Sequence, residues 1–411
     1  MTESAMNRPP RRNVAMSEAI AIVRAGALSP KTKTVALKKA LGRVLVADIT
    51  ASRDQPPFRA SAMDGYAVRR TDLTSGTFTV VGESAAGRRF AGKVGSGEAV
   101  RIFTGAPVPD DCDTVIIQEN TESVSGGIGV LPDGRSAQGD NIRPAGQDFR
   151  RGDTLLSAGL RLDAWRLSLV AAAGLSEVAV ARKPHIAVLC TGDELVLLGI
   201  SPNTDQIYES SSHALVALIN AWGGKAHYLG VEGDSKKGIT EALKDAKADM
   251  VVAVGGASVG DHDVVKPALK AFGLALEFET LNLRPGKPTG FGRLADGRRV
   301  MNLPGNPASA FVVAQLLLKP WIEASLGMAE RSPFAHAVLT HSVPPAGSRE
   351  TYMRAVMHGC EDGDLLVTPL SDQDSSLVSV FARADALLRL PANAPALEAG
   401  TVVEVIPLDR L

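Results

Sequence analysis

Three cysteines in 411 residues, Cys112, Cys190 and Cys360, are too few and too far apart for a disulfide framework or a Cys-x-x-Cys metal site. Aromatic residues make up only 4% of the chain, which leaves little for the stacking platforms used on single-stranded nucleic acid. Charge of neither sign dominates: 44 basic against 45 acidic residues give a net charge of -1, and no basic stripe stands out for a phosphate backbone. Arg8, Arg11 and Arg12 read as a solvated basic tail rather than a binding arm. No stretch reaches the roughly 18 apolar residues of a membrane span, and no N-terminal apolar segment has the form of a signal peptide. The expected address is a reducing cytoplasm, with neither nucleic acid nor membrane as partner.

What is present is ordinary globular material, 45% hydrophobic and 22% charged. The length exceeds what one hydrophobic core usually supports, so roughly two to four domains are expected. "MSEAIAIVRAGALSP" (16–30) reads as a helix capped by Ser17, with Ile20, Ile22 and Val23 on its apolar face and Pro30 stopping it. "GRVLVADIT" then alternates into a strand. Short strands broken by Gly and Asp turns follow over 77–131, which predicts a small β domain. Residues 161–178 return to a helix, with Leu162, Trp165, Leu169 and Val170 near helical period and Gly174 ending it.

From His185 the rhythm changes. "HIAVLCTG", "KAHYLGV" and "DMVVAVGG" are apolar runs followed by glycine, and they alternate with helical patterns. Apolar runs without polar alternation predict strands covered on both faces, hence a parallel sheet with crossover helices. A hairpin around Asp296-Gly297 comes next. A long helix follows, with Asn306 as N-cap, Pro307 at its first position and a bend at Pro320. After about residue 327 the pattern is β again, consistent with a small barrel or sandwich.

In doubly wound sheets, ligands sit beyond the carboxyl ends of the strands. Three segments are expected there: "TGDEL" with Thr191 to Glu194, "GGASVGDHD" with Gly255 to Asp263, and "LRPGKP" with Arg284 and Lys287. Free backbone N–H groups at a helix start favour an anion by about 0.3–1 kcal/mol through the dipole alone. Arg284 and Lys287 would add charge. The glycines fit neither a dinucleotide-binding Gly-x-Gly-x-x-Gly nor a P-loop. Other acids stand in turn-like contexts, Asp64 in "SAMDGYAV", Glu83 in "GESAAG" and Asp148 in "RPAGQDF", where each alone reads as a turn residue bonding its own backbone. Thr104 and Gly105 lie in "RIFTGAPVP". For Phe103, Phe291 and Phe311, core packing is favoured over lining a cleft.

"SAMDGYAV", "RIFTGAPVP", "AGQDF", "TGDEL", "GGASVGDHD", "LRPGKP" and "NLPGNPAS" occur in this order, and with them the chain resembles the MoeA-type molybdopterin molybdenumtransferases, relatives of the E domain of gephyrin. The resemblance runs over nearly the whole chain. It implies an elongated, multi-domain α/β plus β chain. The implied parts are an N-terminal helix and first hinge segment (1–55), an inserted small β domain (56–139) and a second hinge segment (140–182). A doubly wound, molybdopterin-binding α/β domain (183–326) and a C-terminal barrel-like β domain (327–411) complete it.

The implied activity is the last step of molybdenum cofactor synthesis, with molybdate and adenylylated molybdopterin as substrates, Mg²⁺ as cofactor and AMP as leaving product. Family members are homodimers. An adenylyltransferase that supplies the substrate and molybdoenzymes that receive the product are further implied partners. Carried over position by position, the catalytic residues are Asp64, Thr104, Asp148, Glu194, Asp234 and Asp263. Gly255, Gly256, Ser258, Gly260, Arg284, Pro285, Gly286, Lys287, Pro304, Gly305, Asn306 and Ser375 would bind substrate. Asp193, Glu194 and Asp263 would hold the metal. The chain departs from the family pattern at Glu209, Ser210 and Ser211, where an Asp-Ser-Asn-like segment is common. It departs again at Thr280, where a second lysine is common, and at Ala60 in place of asparagine.

Carboxylates clustered beside anion-binding glycines need compensation, since two like charges 4 Å apart cost about 4 kcal/mol at an effective dielectric near 20. A bound dication reverses that sign, and acids away from the metal can accept hydrogen bonds from a pterin. Two other functions compete. A receptor-anchoring protein of the gephyrin kind would lack metal-dependent AMP release. A pyrophosphate hydrolase on a related α/β domain would cleave ADP-ribose or NAD.

Overall fold

The computed structural model describes residues 9–132, 141–244, 246–256, 264–359, 363 and 365–409. The chain separates into two compact units, one formed by Met1–Lys33, Gly42–Val46 and Ala179–Leu411, the other by Thr34–Leu41 and Ala47–Val178.

The smaller unit is built on a six-stranded sheet: β1 (Gly65–Val68), β2 (Thr77–Ser84), β3 (Glu98–Ile102), β4 (Thr114–Ile117), β5 (Thr121–Val124) and β6 (Gly127–Val130), in the order β4-β1-β3-β2-β6-β5. Its two faces each carry a cluster, one around Val100, Ile102 and Val115, the other around Phe78, Ile116 and Ile128. In the same unit a helix spans Ala164–Ala172. Its N-cap is Asp163, whose carboxylate accepts from Arg166 N at 2.8 Å. Trp165, assigned to the apolar face by periodicity, is instead 84% exposed, and Leu162 and Val170 carry the packing.

In the larger unit the strands β7 (His185–Thr191), β8 (Lys225–Glu232), β9 (Met250–Val254), β10 (Ala275–Phe278), β11 (Gly290–Arg293) and β12 (Arg299–Leu303) form one sheet in the order β8-β7-β9-β12-β11-β10. β8, β7, β9 and β12 run parallel, and the β11–β12 hairpin and β10 add an antiparallel edge. β7, β9 and β12 are buried on both faces, as their apolar runs require, whereas β8, expected to be covered likewise, is the edge strand and is only partly buried. One face packs on α1 (Met16–Ala25), α2 (Ser211–Ala221), α5 (Pro307–Val313) and α6 (Lys319–Ser325). The other packs on α3 (Lys236–Lys244) and α4 (Val265–Lys270).

Helix α1 differs at both ends from its expected limits. Ala15 occupies the N-cap position without a side-chain bond, so Ser17 does not cap, and Gly26 ends the helix ahead of Pro30. The bend expected at Pro320 takes another form: a π-helical segment, Ala314–Leu318, joins α5 to α6 just before the proline. Proline lacks an N–H and crowds the carbonyl four residues back, and the wider π turn accommodates both.

β13 (Ala335–Leu339), β14 (Glu350–Gly359), β15 (Leu365–Pro369), β16 (Ala386–Leu390) and β17 (Val402–Pro407) close on themselves as β14-β15-β13-β17-β16-β14. This five-stranded barrel resolves the choice between barrel and sandwich, and closure removes the exposed edges an open sheet would leave. The architecture is thus α/β plus β.

Candidate active site

Parallel strands present their carboxyl ends on one side, and four of them supply one cavity of about 770 Å³. Thr191, Gly192, Glu194 and Leu195 come from the end of β7, Asp234 from beyond β8, Gly255 and Gly256 from β9, and Pro304 to Pro307 from β12. Tyr208, Glu209, Ser210 and Ser211 enter from the start of α2, and Thr280 and Lys287 from the segment after β10.

The glycine turn after β9 is dictated by backbone geometry. Gly255 and Gly256 have φ of 97° and 56°, where side chains other than glycine are strained. A Cβ on Gly255 would stand 2.4 Å from the Thr191 carbonyl oxygen. On Gly305 a Cβ would lie 3.5 Å from Gly255 Cα, so the β9 and β12 turns are adjacent. The cavity therefore has a wall of close-packed, side-chain-free backbone, with Lys287 on its rim.

Acidic groups belong to the same cavity. Asp193 Oδ1 accepts from Asp234 N at 2.9 Å, joining the turns after β7 and β8. Glu194 folds back over Gly192, where a Cβ would stand 2.6 Å from its Oε2. Glu194 and Asp234 line the cavity; Asp193 does not, and acts on Asp234 through that bond.

Other expected residues are placed differently. Ser258, Gly260 and Asp263 lie outside the described residues. Arg284, Pro285 and Gly286 do not line the cavity. Leu283–Arg284 is not the end of a parallel strand of the sheet, as expected, but pairs with Glu350 and Thr351 of the barrel. Asn306 stands at the N-cap position of α5 yet makes no capping bond; its Nδ2 donates to Ser375 Oγ at 2.9 Å, while Ser375 O accepts from Ala308 N at 3.0 Å. Ser375 is thereby fixed at the head of α5, and its neighbour Ser376 reaches the cavity wall. Thr280 is buried and its hydroxyl oxygen accepts from Asn13 N at 2.8 Å, so this side chain serves the fold.

In the smaller unit, Thr104 donates from N and Oγ1 to Asp64 Oδ1. These bonds hold the Asp64 carboxyl below the usual carboxylate range, with a smaller contribution from the Arg101 charge. Asp148 is exposed on a turn, its N–H donating to Gln55 O at 3.0 Å. Glu83 pairs with Arg88 at 2.5 Å. None of Phe103, Phe291 and Phe311 lines the cavity: Phe291 packs on Phe278, Phe311 on Phe381, and Phe103 lies under the Arg101 guanidinium.

One feature had no signal in the sequence pattern, and a second stood out there only as a departure from the family pattern. Arg354, on strand β14, is 1% exposed and donates from Nη2 to Asp374 O at 3.1 Å, close to the Ser375 segment. Its guanidinium pKa is lowered by burial. Glu209, 3% exposed, accepts hydrogen bonds from Cys190 Sγ, Ser212 and Tyr228 in the cavity wall. Burial raises the pKa of the Cys190 thiol, and the Glu209 charge raises it further.

Comparison with known proteins agrees with this arrangement from end to end. Residues 14–174 match the model of the MoeA N-terminal region (domains I and II), 187–324 that of a "Probable molybdopterin binding domain", and 336–408 that of the MoeA C-terminal region (domain IV). The molybdopterin molybdenumtransferase of Haemophilus influenzae is 33% identical over 93% of this chain and 95% of its own length. That of Bacillus subtilis is 33% identical over 92% and 90%. Among solved structures, a molybdopterin biosynthesis moeA protein from Pyrococcus horikosii superposes with a TM-score of 0.82 at 31% identity, covering 97% of this chain and 100% of that one. The chain belongs to the MoeA family of molybdopterin molybdenumtransferases.

Proposed function

We propose that this protein catalyses the final step of molybdenum cofactor synthesis, inserting molybdate into adenylylated molybdopterin with Mg²⁺ and releasing AMP. The observation that carries the reading is one cavity lined by glycine turns, a lysine and carboxylates together. The glycine turns after β9 and β12, with Lys287, offer backbone and positive charge to a pyrophosphate and an oxyanion. Glu194 and Asp234 offer carboxylates to the same cavity.

Among the described residues no three His, Cys, Asp or Glu side chains converge as a metal site. The chemistry of Glu194 and Asp193 nevertheless suits a hard dication that takes few protein ligands, with Asp263 as the third acid and substrate phosphate completing the shell. When bound, Mg²⁺ supplies charge neutralisation and polarises a phosphoryl oxygen. The residues themselves do the rest. Asp193 fixes the Asp234 turn, and Asp234 accepts a hydrogen bond from the pterin. Lys287 and the backbone beside Gly255, Gly256 and Gly305 orient the phosphates, with Ser258 and Gly260 extending that cradle. Arg284 and Ser375 receive oxyanions, and Pro285, Gly286, Pro304 and Asn306 shape the substrate-binding turns. Asp64, Thr104 and Asp148 are the further residues assigned to catalysis.

The protein is further proposed to work as a cytoplasmic homodimer that receives substrate from an adenylyltransferase and delivers cofactor to molybdoenzymes. The division into five segments at 55, 139, 182 and 326 belongs to the same reading. No helix of the described residues is long and apolar enough to cross a membrane. The test is AMP release from adenylylated molybdopterin by the purified chain. Release that needs both Mg²⁺ and molybdate supports the assignment; release from ADP-ribose or NAD, or none, counts against it.

A further inference from the structure

The first turn of helix α2 opens into the cavity, and its N-terminal pole would ordinarily attract an oxyanion. Here that place is already taken by a carboxylate of the chain. Glu209 Oε1 accepts from Ser212 N at 2.8 Å, inside the first turn of α2, and from Cys190 Sγ at 3.3 Å. Its Oε2 accepts from the Ser212 hydroxyl and, at 3.4 Å, from Tyr228 Oη. Four donors from three elements converge on this one group, which is 3% exposed and still forms part of the cavity wall. A carboxylate so buried is held by its hydrogen bonds. In the cavity wall it places negative charge where bare N–H groups would present positive charge.

We propose that Glu209 is a specificity-determining residue that acts as a built-in anion, closing the N-terminal pole of α2 to oxyanions and confining phosphate and molybdate to the Lys287 and Gly305 side of the cavity. This rests on the proposed function only in the identity of the substrate; the exclusion itself is a property of the cavity. It also gives the departure at 209–211 a physical sense. A glutamate reaches back over the first turn to Ser212, so Ser210 and Ser211 remain on the wall as neutral hydroxyls rather than as part of a phosphate cradle.

The test uses the full chain and inorganic pyrophosphate as probe, without Mg²⁺. Calorimetric titration of E209Q is expected to show pyrophosphate bound about fivefold to tenfold more tightly than by the wild type, from the freed dipole and the lost repulsion. E209D, which keeps the charge, is expected to stay with the wild type. Equal affinity in E209Q and wild type, or an E209D that follows E209Q, would overturn the proposal. A second measurement needs no variant. In amide NMR spectra of the wild-type chain, pyrophosphate is expected to move the signals of Gly255, Gly256 and Gly305 and to leave Ser211 and Ser212 in place. Movement of Ser211 and Ser212 overturns the exclusion. Silence at Gly255 and Gly305 would instead count against the phosphate cradle of the proposed function, and the E209Q comparison would then decide the exclusion alone.

Discussion

Thr104 presents two donors, its backbone N–H and its hydroxyl, to the same oxygen of Asp64, at 2.7 Å each. Both bonds favour the ionised carboxylate, which is why Asp64, only partly buried, titrates below its ordinary range. Replacing Thr104 by Val removes the hydroxyl and keeps the N–H. The Asp64 pKa is expected to rise in T104V but to stay below that of an unstructured aspartate, as read by carbon NMR of the carboxyl group. An unchanged pKa would mean the hydroxyl has no hold on Asp64.

A second carboxylate governs stability rather than chemistry. Asp249 accepts from Arg182 Nη2 at 2.8 and 2.9 Å and from His185 N at 2.7 Å, at the amino end of β7. Burial pushes its pKa up, but the Arg182 and His185 bonds outweigh burial and the net direction is down. A depressed carboxylate pKa adds stability above the unfolded value, near 3.9, and loses it as pH falls through the folded one. D249A is expected to lose about 1–3 kcal/mol at pH 7, because it strips a part-buried guanidinium and an N–H of their acceptor. In urea melts the gap to wild type should narrow below pH 4. A gap that does not change with pH would assign the loss to packing.

How far the sequence reveals this molecule depends on what sets each feature. β7 and β9 were legible because a strand buried on both faces has nowhere to put polar residues, and "HIAVLCT" and "MVVAV" obey that. The hairpin at Asp296-Gly297 was legible because Gly297 must adopt φ of 92°. Trp165 was misplaced because periodicity shows which residues share a face but not whether anything covers it. Arg354 was invisible for the opposite reason: a charge that alternation would send to solvent is buried by the fold, with its partner Asp374 O twenty residues away. At the site, the glycine turns, Glu194 and Lys287 could be read from motifs. Glu209 could not, since its meaning lies in Cys190 and Tyr228, which are adjacent only after β7 and β8 pair.

The glycines of the cavity wall separate folding from function. At Gly255 a methyl group would meet the Thr191 carbonyl at 2.4 Å with the backbone at positive φ, so G255A is expected to cost about 1–3 kcal/mol of stability. Gly305 has no such constraint, and its added Cβ meets only Gly255 Cα at 3.5 Å, an ordinary contact. G305A should therefore melt within about 2 °C of wild type while losing roughly tenfold or more in AMP release, because the methyl fills space proposed for phosphate. Thermal melts and single-turnover assays of the two variants check this together. Equal stability loss in both would remove Gly305 from the substrate site.

The acids of the cavity make a last, separable prediction. If Glu194 holds the dication, removing its charge should weaken metal binding more than substrate binding, since a neutral amide keeps the shape and one acceptor oxygen but not the ionic attraction. E194Q is expected to need about tenfold more Mg²⁺ for half-maximal AMP release, with activity partly restored at saturating metal. D193N should show a smaller shift in Mg²⁺ demand, because Asp193 has one oxygen committed to Asp234 N. If E194Q instead loses activity that no Mg²⁺ concentration restores, Glu194 acts on the substrate directly. The metal would then have to be reassigned among the remaining acids.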